Sequence, residues 1–397
     1  MIDTEAVLEF LKALIPAGAA LILGMIAWSM WLRHINYGFL TSIKWVILEV
    51  RIPKEVFKSP LAMELVLINA FHQSGGTGTW YNKYVEGKLR QYFSLEIVSL
   101  EGNIFFLMRI PKNFRPLVES QVYSQYPQAE IKEAADYTEQ FPAYVKNGEF
   151  EMWGCEFKLN KPDPYPIKTY VDYGLDRATG SLEEEQKIDP ITPLMEFLGS
   201  LTEGNYVWMQ ILVRAATERH PVPGSHFGKQ SFVKAGQDLI KELKKKYGGE
   251  GQKMTKSEGE MLSMIDRSIS KLAFDCGIRA IYLAKAGKFD PINITGMTGS
   301  FRQFSAPNAN SFGVMNATGF DYPWQDPSKN RVARLKKKLL QAYRLRSYFY
   351  IPFERKPFVL NSEELATIYH FPGRVLETPS FERILSKKAE PPANLPI

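Results

Sequence analysis

A nucleotide site leaves a sharper trace in a sequence than most other sites. A phosphate loop needs Gly, four residues and then Gly-Lys-Ser/Thr, so that backbone N–H groups cradle the phosphates and a hydroxyl reaches magnesium. The Gly-Lys pairs of this chain, Gly87-Lys88, Gly228-Lys229 and Gly287-Lys288, are followed by Leu89, Gln230 and Phe289. The sequence therefore holds no such loop. Five histidines occur, His34, His72, His220, His226 and His370. His220 and His226 flank a Pro-Val-Pro-Gly-Ser turn with no third ligand nearby in sequence, so no metal site is expected. There is no Gly-x-Ser-x-Gly elbow and no paired-carboxylate motif. Cys155 and Cys276 stand far apart in no ligand-like spacing. They read as small buried apolar residues in a reducing compartment. No catalytic residue and no cofactor is expected.

The residues that keep a chemical reading are cationic. Between 329 and 346 the chain carries Lys329, Arg331, Arg334, Lys336, Lys337, Lys338, Arg344 and Arg346, with no acidic residue among them. Val332, Leu335, Leu339, Leu340 and Tyr343 give the stretch an apolar side, which predicts a basic amphipathic helix. Its eight cations are candidate contacts for phosphate groups, of anionic lipid or of nucleic acid. The plainer alternative is a solvated basic face packed on the body. The glycine-rich loop Gly75-Gly76-Thr77-Gly78-Thr79 does not lead directly from a strand into a helix N-terminus. It reads as a flexible connection or partner contact rather than a phosphate cradle.

What positions these residues begins at a membrane. Ala13 to Leu32 is an uncharged apolar run. As a helix it spans about 30 Å, the thickness of a hydrocarbon core. Trp28 and Trp31 lie near one end, where indoles favour the interface, and Arg33 closes the span. Asp3, Glu5 and Glu9 outweigh Lys12 ahead of it, the wrong charge for a cleaved signal peptide. Arg33, Lys44, Arg51, Lys54 and Lys58 follow it, so the positive-inside rule places the bulk of a single-pass protein in the cytoplasm.

After the anchor, 45% apolar and 23% charged residues are ordinary for folded domains. Residues 44–52 read as a strand, 59–73 as a helix capped by Ser59 with Pro60 in its first turn, and 92–100 with 103–110 as a hairpin across Glu101-Gly102. A helix at 113–125 and a strand at 128–134 complete β-α-β-β-α-β, the split-βαβ or ferredoxin-like order. Arg51-Ile52-Pro53-Lys54 and Arg109-Ile110-Pro111-Lys112 end its first and third strands, the pair that pseudo-two-fold symmetry relates. A second, interrupted α/β unit follows. It has a strand at 167–173, a helix at 191–201 and an apolar strand at 205–215. After an insertion at 216–256 with a Lys-rich helix at 234–247 come a helix at 257–275, a strand at 278–284 and a helix entered near Pro291.

The expected class is α+β: an N-terminal transmembrane helix, two ferredoxin-like α/β sandwich domains and an extended C-terminal tail. The boundaries are a segment at 1–12, the span at 13–32, a first domain at 44–137 and a second at 150–303. A linker at 304–328, the basic helix with a short capped helix over 329–371, and the tail at 372–397 complete the chain.

Two sets of segments carry a resemblance. The first is Phe93-Ser94-Leu95-Glu96-Ile97-Val98-Ser99, Arg109-Ile110-Pro111, Val118 to Pro127 (Val-Glu-Ser-Gln-Val-Tyr-Ser-Gln-Tyr-Pro) and Glu130-Ile131. The second is Leu360 to Pro372 (Leu-Asn-Ser-Glu-Glu-Leu-Ala-Thr-Ile-Tyr-His-Phe-Pro), followed by Lys387-Lys388-Ala389-Glu390-Pro391-Pro392-Ala393-Asn394-Leu395-Pro396. From about residue 44 onward the chain resembles the membrane-anchored, non-ATPase N-terminal region of TraG-like and HerA-like type IV secretion (conjugation) proteins, best represented in uncultivated small-genome bacteria. The resemblance implies a scaffold or assembly component with protein partners, an ATPase or other secretion components; a homo-oligomer is a further partner arrangement left open. The chain ends where that family's motor domain would begin, so no nucleotide-binding residue carries over. The rival expectation is a stand-alone protein that uses 329–346 on a membrane surface or nucleic acid.

Overall fold

A computed structural model describes residues 4–53, 58–73, 78–176, 188–222, 228–247 and 254–372. In chain order the first elements are α1 (Thr4–Ser42), β1 (Trp45–Arg51), α2 (Pro60–Val66), α3 (Trp80–Tyr84), β2 (Phe93–Leu100), β3 (Asn103–Pro111), α4 (Arg115–Gln125) and β4 (Glu130–Ala134). Then come β5 (Phe150–Leu159), α5 (Thr192–Gly199), β6 (Asn205–Ala215), the short pair β7 (His220–Pro221) and β8 (Lys229–Gln230), α6 (Phe232–Tyr247) and α7 (Lys256–Ile269). The last are β9 (Ala273–Lys285), α8 (Ile292–Gly299), β10 (Phe312–Met315), α9 (Asn330–Arg344), β11 (Phe358–Asn361) and α10 (Ser362–Ile368).

These fall into two compact units, Met1–Lys44 with Ser74–Gln91, and Trp45–Gln73 with Tyr92–Ile397. The first holds α1, which runs well beyond the expected 13–32 span. Its stretch Gly18–Ser42 is long and apolar enough to cross a membrane. The 74–91 stretch, expected within the first α/β domain, belongs with α1 instead.

The second unit is built on one antiparallel sheet in the order β10-β5-β9-β6-β2-β3-β1-β4, with β11 paired to the start of β9. Each half repeats one pattern. In β4-β1-β3-β2 and in β10-β5-β9-β6, the first and third strands are central and the second and fourth flank them. Strand β1 pairs with β3 from Trp45↔Pro111 to Glu49↔Leu107, as the repeated tetrapeptides suggest, while Arg51 lies opposite Glu130. The hairpin turn takes left-handed backbone at Glu101 (φ 54°) and Gly102 (φ 90°), the geometry whose twist suits a two-residue connection. The halves meet where the second strands pair, Phe93↔Val213 through Leu100↔Tyr206. Two separate sandwiches are therefore replaced by one nine-stranded sheet.

Alternation along each strand sorts the side chains onto two faces. One carries Leu48, Leu95, Ile97, Phe106, Met209, Ile211, Ile278 and Ala280, covered by Val66, Val118, Leu194, Met297 and Leu365 from α2, α4, α5, α8 and α10. The other carries Val98, Leu107, Met152, Trp208 and Ile281, covered by Leu339, Leu340 and Tyr343 of α9 and by Tyr137 and Phe141.

Four expectations give way. Residues 167–173 form turns, and the strand that fills their place is β5, where Glu156 and Gly154 interrupt the apolar pattern. The expected helix at 257–275 stops at Ile269, and Ala273 onward joins β9. The 304–328 linker contributes β10, which pairs with β5 from Phe312↔Leu159 to Met315↔Glu156. The unpredicted β11 precedes α10. Much of the glycine-rich loop, most of the 216–256 insertion's turns and the 373–397 tail lie outside the described residues.

Candidate functional site

Helix α9 lies where its sequence places an amphipathic helix, with Leu339, Leu340, Ala342 and Tyr343 buried. It is entered through Asp326, whose carboxylate accepts the Val332 N–H at 2.8 Å, satisfying one of the orphan donors of a helix N-terminus. Two glycines make the sheet smooth beneath it. A Cβ on Gly154 of β5 would fall 2.7 Å from Leu339 Cδ2, and one on Gly277 of β9 2.4 Å from the Tyr348 ring. A Cβ at Gly154 would push the Leu339 methyl aside, and one at Gly277 would meet the rigid Tyr348 ring, so the helix and the following turn pack this closely only over glycine.

Its C-terminal end is held by a polar row that crosses the sheet in register. Glu96 of β2 lies opposite Gln210 of β6, Gln210 opposite Arg279 of β9, and Arg279 opposite Glu156 of β5. Arg279 donates to Glu156 Oε1 at 3.0 Å, to the Ala342 carbonyl at 3.0 Å and to the Ser347 carbonyl at 2.7 Å. Gln210 Nε2 donates to the Tyr343 carbonyl at 3.1 Å. The Ala342 and Tyr343 carbonyls at the helix end, which also accept the Ser347 and Arg346 N–H groups, thus receive a buried cation and an amide. Just past the helix, Arg346 donates to Glu96 Oε1 at 3.0 Å and Oε2 at 3.2 Å, and to both oxygens of Asp136. Tyr137 donates to Glu96 at 2.8 Å and shares a hydrogen bond with the Tyr343 hydroxyl. Burial would raise the Glu96 carboxyl, but the Arg346 charge and hydrogen bonds from Arg346, Ser94 and Tyr137 hold it below its ordinary value. Burial likewise works against Asp136, and Arg346 with Thr138 keeps it low.

The eight expected cations separate accordingly. Lys329, Arg331, Arg334, Lys337 and Lys338 are exposed. Among the described residues none of these five pairs with a carboxylate. Lys336 is half-buried over the Tyr144 ring at 5.4 Å, and burial lowers its pKa. Arg344 turns inward and donates to the carbonyls of Phe141 and Pro142 at 2.6 and 2.9 Å. Arg346 is fully buried, so it is no phosphate contact: its charge is spent inside the fold. Beside the helix N-terminus the sequence reading missed an aromatic platform. Arg331 lies 4.8 Å over Phe320, and the exposed rings of Tyr322 and Trp324 stack at 4.7 Å.

The missed residues had a signal. Glu96, Gln210 and Arg279 each stand between apolar neighbours in a strand, where an uncompensated group would be costly.

Cys155 and Cys276 are buried, and burial pushes both thiols up, away from nucleophilic use. His220 is near Asp163 (3.9 Å), while His226 lies outside the described residues. Among the described residues no three His, Cys, Asp or Glu side chains group as metal ligands. The exposed cations of α9, held on a buried support, form a row that can bind anions.

The molecule is a mixed helix-and-sheet protein with an antiparallel sheet and one N-terminal apolar helix. It belongs to the family described as "Domain of unknown function (DUF8128)", which matches residues 76–383. No curated protein matches the chain.

Proposed function

We propose that this is a membrane-anchored, non-enzymatic scaffold whose second unit comprises two fused ferredoxin-like halves and whose α9 face docks an acidic partner. The carrying observation is the division of labour along the basic segment. Arg344 and Arg346 fasten it, while Arg334, Lys337 and Lys338 project outward without carboxylate partners among the described residues. α1 supplies the tether, and the basic residues after Leu32 favour a cytoplasmic body. The resemblance to the N-terminal region of type IV secretion proteins supports a partner from such an apparatus, a separately encoded ATPase foremost. The test is co-purification of the full chain from native membranes, beside an Arg334→Gln/Lys337→Gln/Lys338→Gln variant. A partner retained by the parent and lost from the folded variant is expected. Equal recovery with both contradicts the docking role.

A second reading has its own support, the stacked Tyr322 and Trp324 next to Arg331, since aromatic rings beside cations accept unpaired bases. It predicts binding of single-stranded DNA that falls steeply with salt and is lost in Trp324→Ala.

A further inference from the structure

The first unit carries aromatic residues that an anchoring helix does not by itself require. Residues 79–88 return to α1 and are fastened along it. The Thr79 hydroxyl accepts from Asn82 N at 3.4 Å and caps α3. Trp31 Nε1 donates to the Tyr84 carbonyl at 3.1 Å, and the Trp28 and Tyr84 rings meet at 5.7 Å. Gly87 (φ +66°) touches the α1 backbone itself: a Cβ there would lie 2.5 Å from the Ile35 carbonyl carbon and 2.9 Å from Asn36 N. Only glycine fits both that conformation and that approach.

The outer surface of this assembly is ordered in layers. α1 first exposes the uncharged Leu21, Leu23, Met25 and Ile26. Next comes a band of Trp28, Trp31, Trp80 (68% exposed) and Tyr81 (53% exposed). Within and just beyond it stand the exposed Arg33, Lys83 and Lys88, with Lys83 packed 4.8 Å over the Tyr84 ring. Apolar tails, amphipathic rings and then cations is the order met on leaving a bilayer, where indoles and phenols settle at the headgroup level and basic residues reach the phosphates. α1 continues to Ser42, so the end of the helix does not mark the boundary.

We propose that residues 79–88 form an interfacial cuff, seated in the phospholipid headgroup layer at the C-terminal end of the span. Trp80 and Tyr81 insert among the headgroups, and Arg33 and Lys83 approach the phosphates. The cuff sets the depth of α1 and stops it from sliding. This rests on reading α1 as a membrane span, and the experiment separates the two claims.

The full chain is reconstituted in phosphatidylcholine–phosphatidylglycerol vesicles with an environment-sensitive fluorophore on Tyr81→Cys or on Leu23→Cys. The buried Cys155 and Cys276 leave the unsubstituted chain as the labelling blank. Quenching by lipids bearing a nitroxide on the headgroup is compared with quenching by lipids bearing it deep in the acyl chain. The proposal expects the position-81 label to be quenched more by the headgroup nitroxide, and the position-23 label more by the deep one. Deep quenching at 23 with none at 81, or stronger deep than shallow quenching at 81, overturns the cuff and leaves the span standing. No quenching at either position overturns both.

Discussion

The two faces of the sheet are held by different physics. The face under α2, α4, α5, α8 and α10 is a continuous apolar core on the strands, its buried carboxylates Glu64, Glu363 and Glu364 standing on the covering helices, while the face under α9 mixes a smaller apolar cluster with a buried row of Glu96, Gln210, Arg279 and Glu156 on the strands themselves. An apolar contact is non-directional and tolerates sliding. A buried guanidinium between two carboxylates, with its hydrogen bonds in place, allows one arrangement. The helix face supplies bulk stability, and the polar row supplies a fixed position for α9. A helix that presents cations to a partner needs the second more than the first.

Replacing residues one face at a time separates the two. Arg346→Ala leaves the Glu96 and Asp136 carboxylates without their cation, and breaking such a buried pair costs about 3–5 kcal/mol. Ile97→Val, one residue along the same strand but on the apolar face, costs about 0.5–1.5 kcal/mol. Denaturant midpoints compare them directly, and a milder effect for Arg346→Ala breaks the comparison. Gly277→Ala comes next. Its methyl group meets the Tyr348 ring and displaces the turn after α9, at about 1–3 kcal/mol. Amide exchange should quicken at residues 342–348 and stay unchanged in α10; uniform quickening counts against a local bolt.

The last contrast is in pH, and its sign differs between the faces. Glu364 caps α10 from within the apolar side, where burial pushes its carboxyl up to about 8 against the pull of the Asn361 and Ile167 N–H groups. A raised acid contributes stability that is complete below its ordinary 4.5 and is lost as pH rises through about 8. Glu96 and Asp136 are held low, so their contribution is present above 4.5 and 3.8 and lost as pH falls below those values. Exchange protection, corrected for intrinsic rate, should decline in α10 between about pH 5 and about pH 8 and in α9 only on acidification. Parallel profiles contradict the assignment.

The sequence exposed these faces unequally. The strands of the apolar face, the Glu101-Gly102 turn, the Ser59 cap and the amphipathic character of α9 follow from rules that act over a few residues. So did the central pairing of β1 and β3, through the repeated Arg-Ile-Pro-Lys. The polar row did not, because its partners are distant: Arg346 is 250 residues from Glu96. Each member of the row interrupts the apolar neighbours of its own strand, and nothing local names its partner. β5 was missed for the same reason, with Glu156 and Gly154 breaking its apolar run, and β10 because a four-residue edge strand with Gly313 resembles a loop. The basic run was legible as a helix, but its eight cations could not be divided into fastening and free ones without the fold.

The central claim, that α9 is held rigid in order to dock a protein partner, is tested most directly by photo-crosslinking. A photoreactive amino acid is placed at Lys337 in the full chain, illuminated in native membranes, and the adducts are identified by mass spectrometry. The account predicts a discrete protein adduct that persists when Trp324 is replaced by Ala and disappears when Gly277→Ala loosens the turn after the helix. Crosslinks to lipid or nucleic acid alone, or a protein adduct indifferent to Gly277→Ala, contradict it.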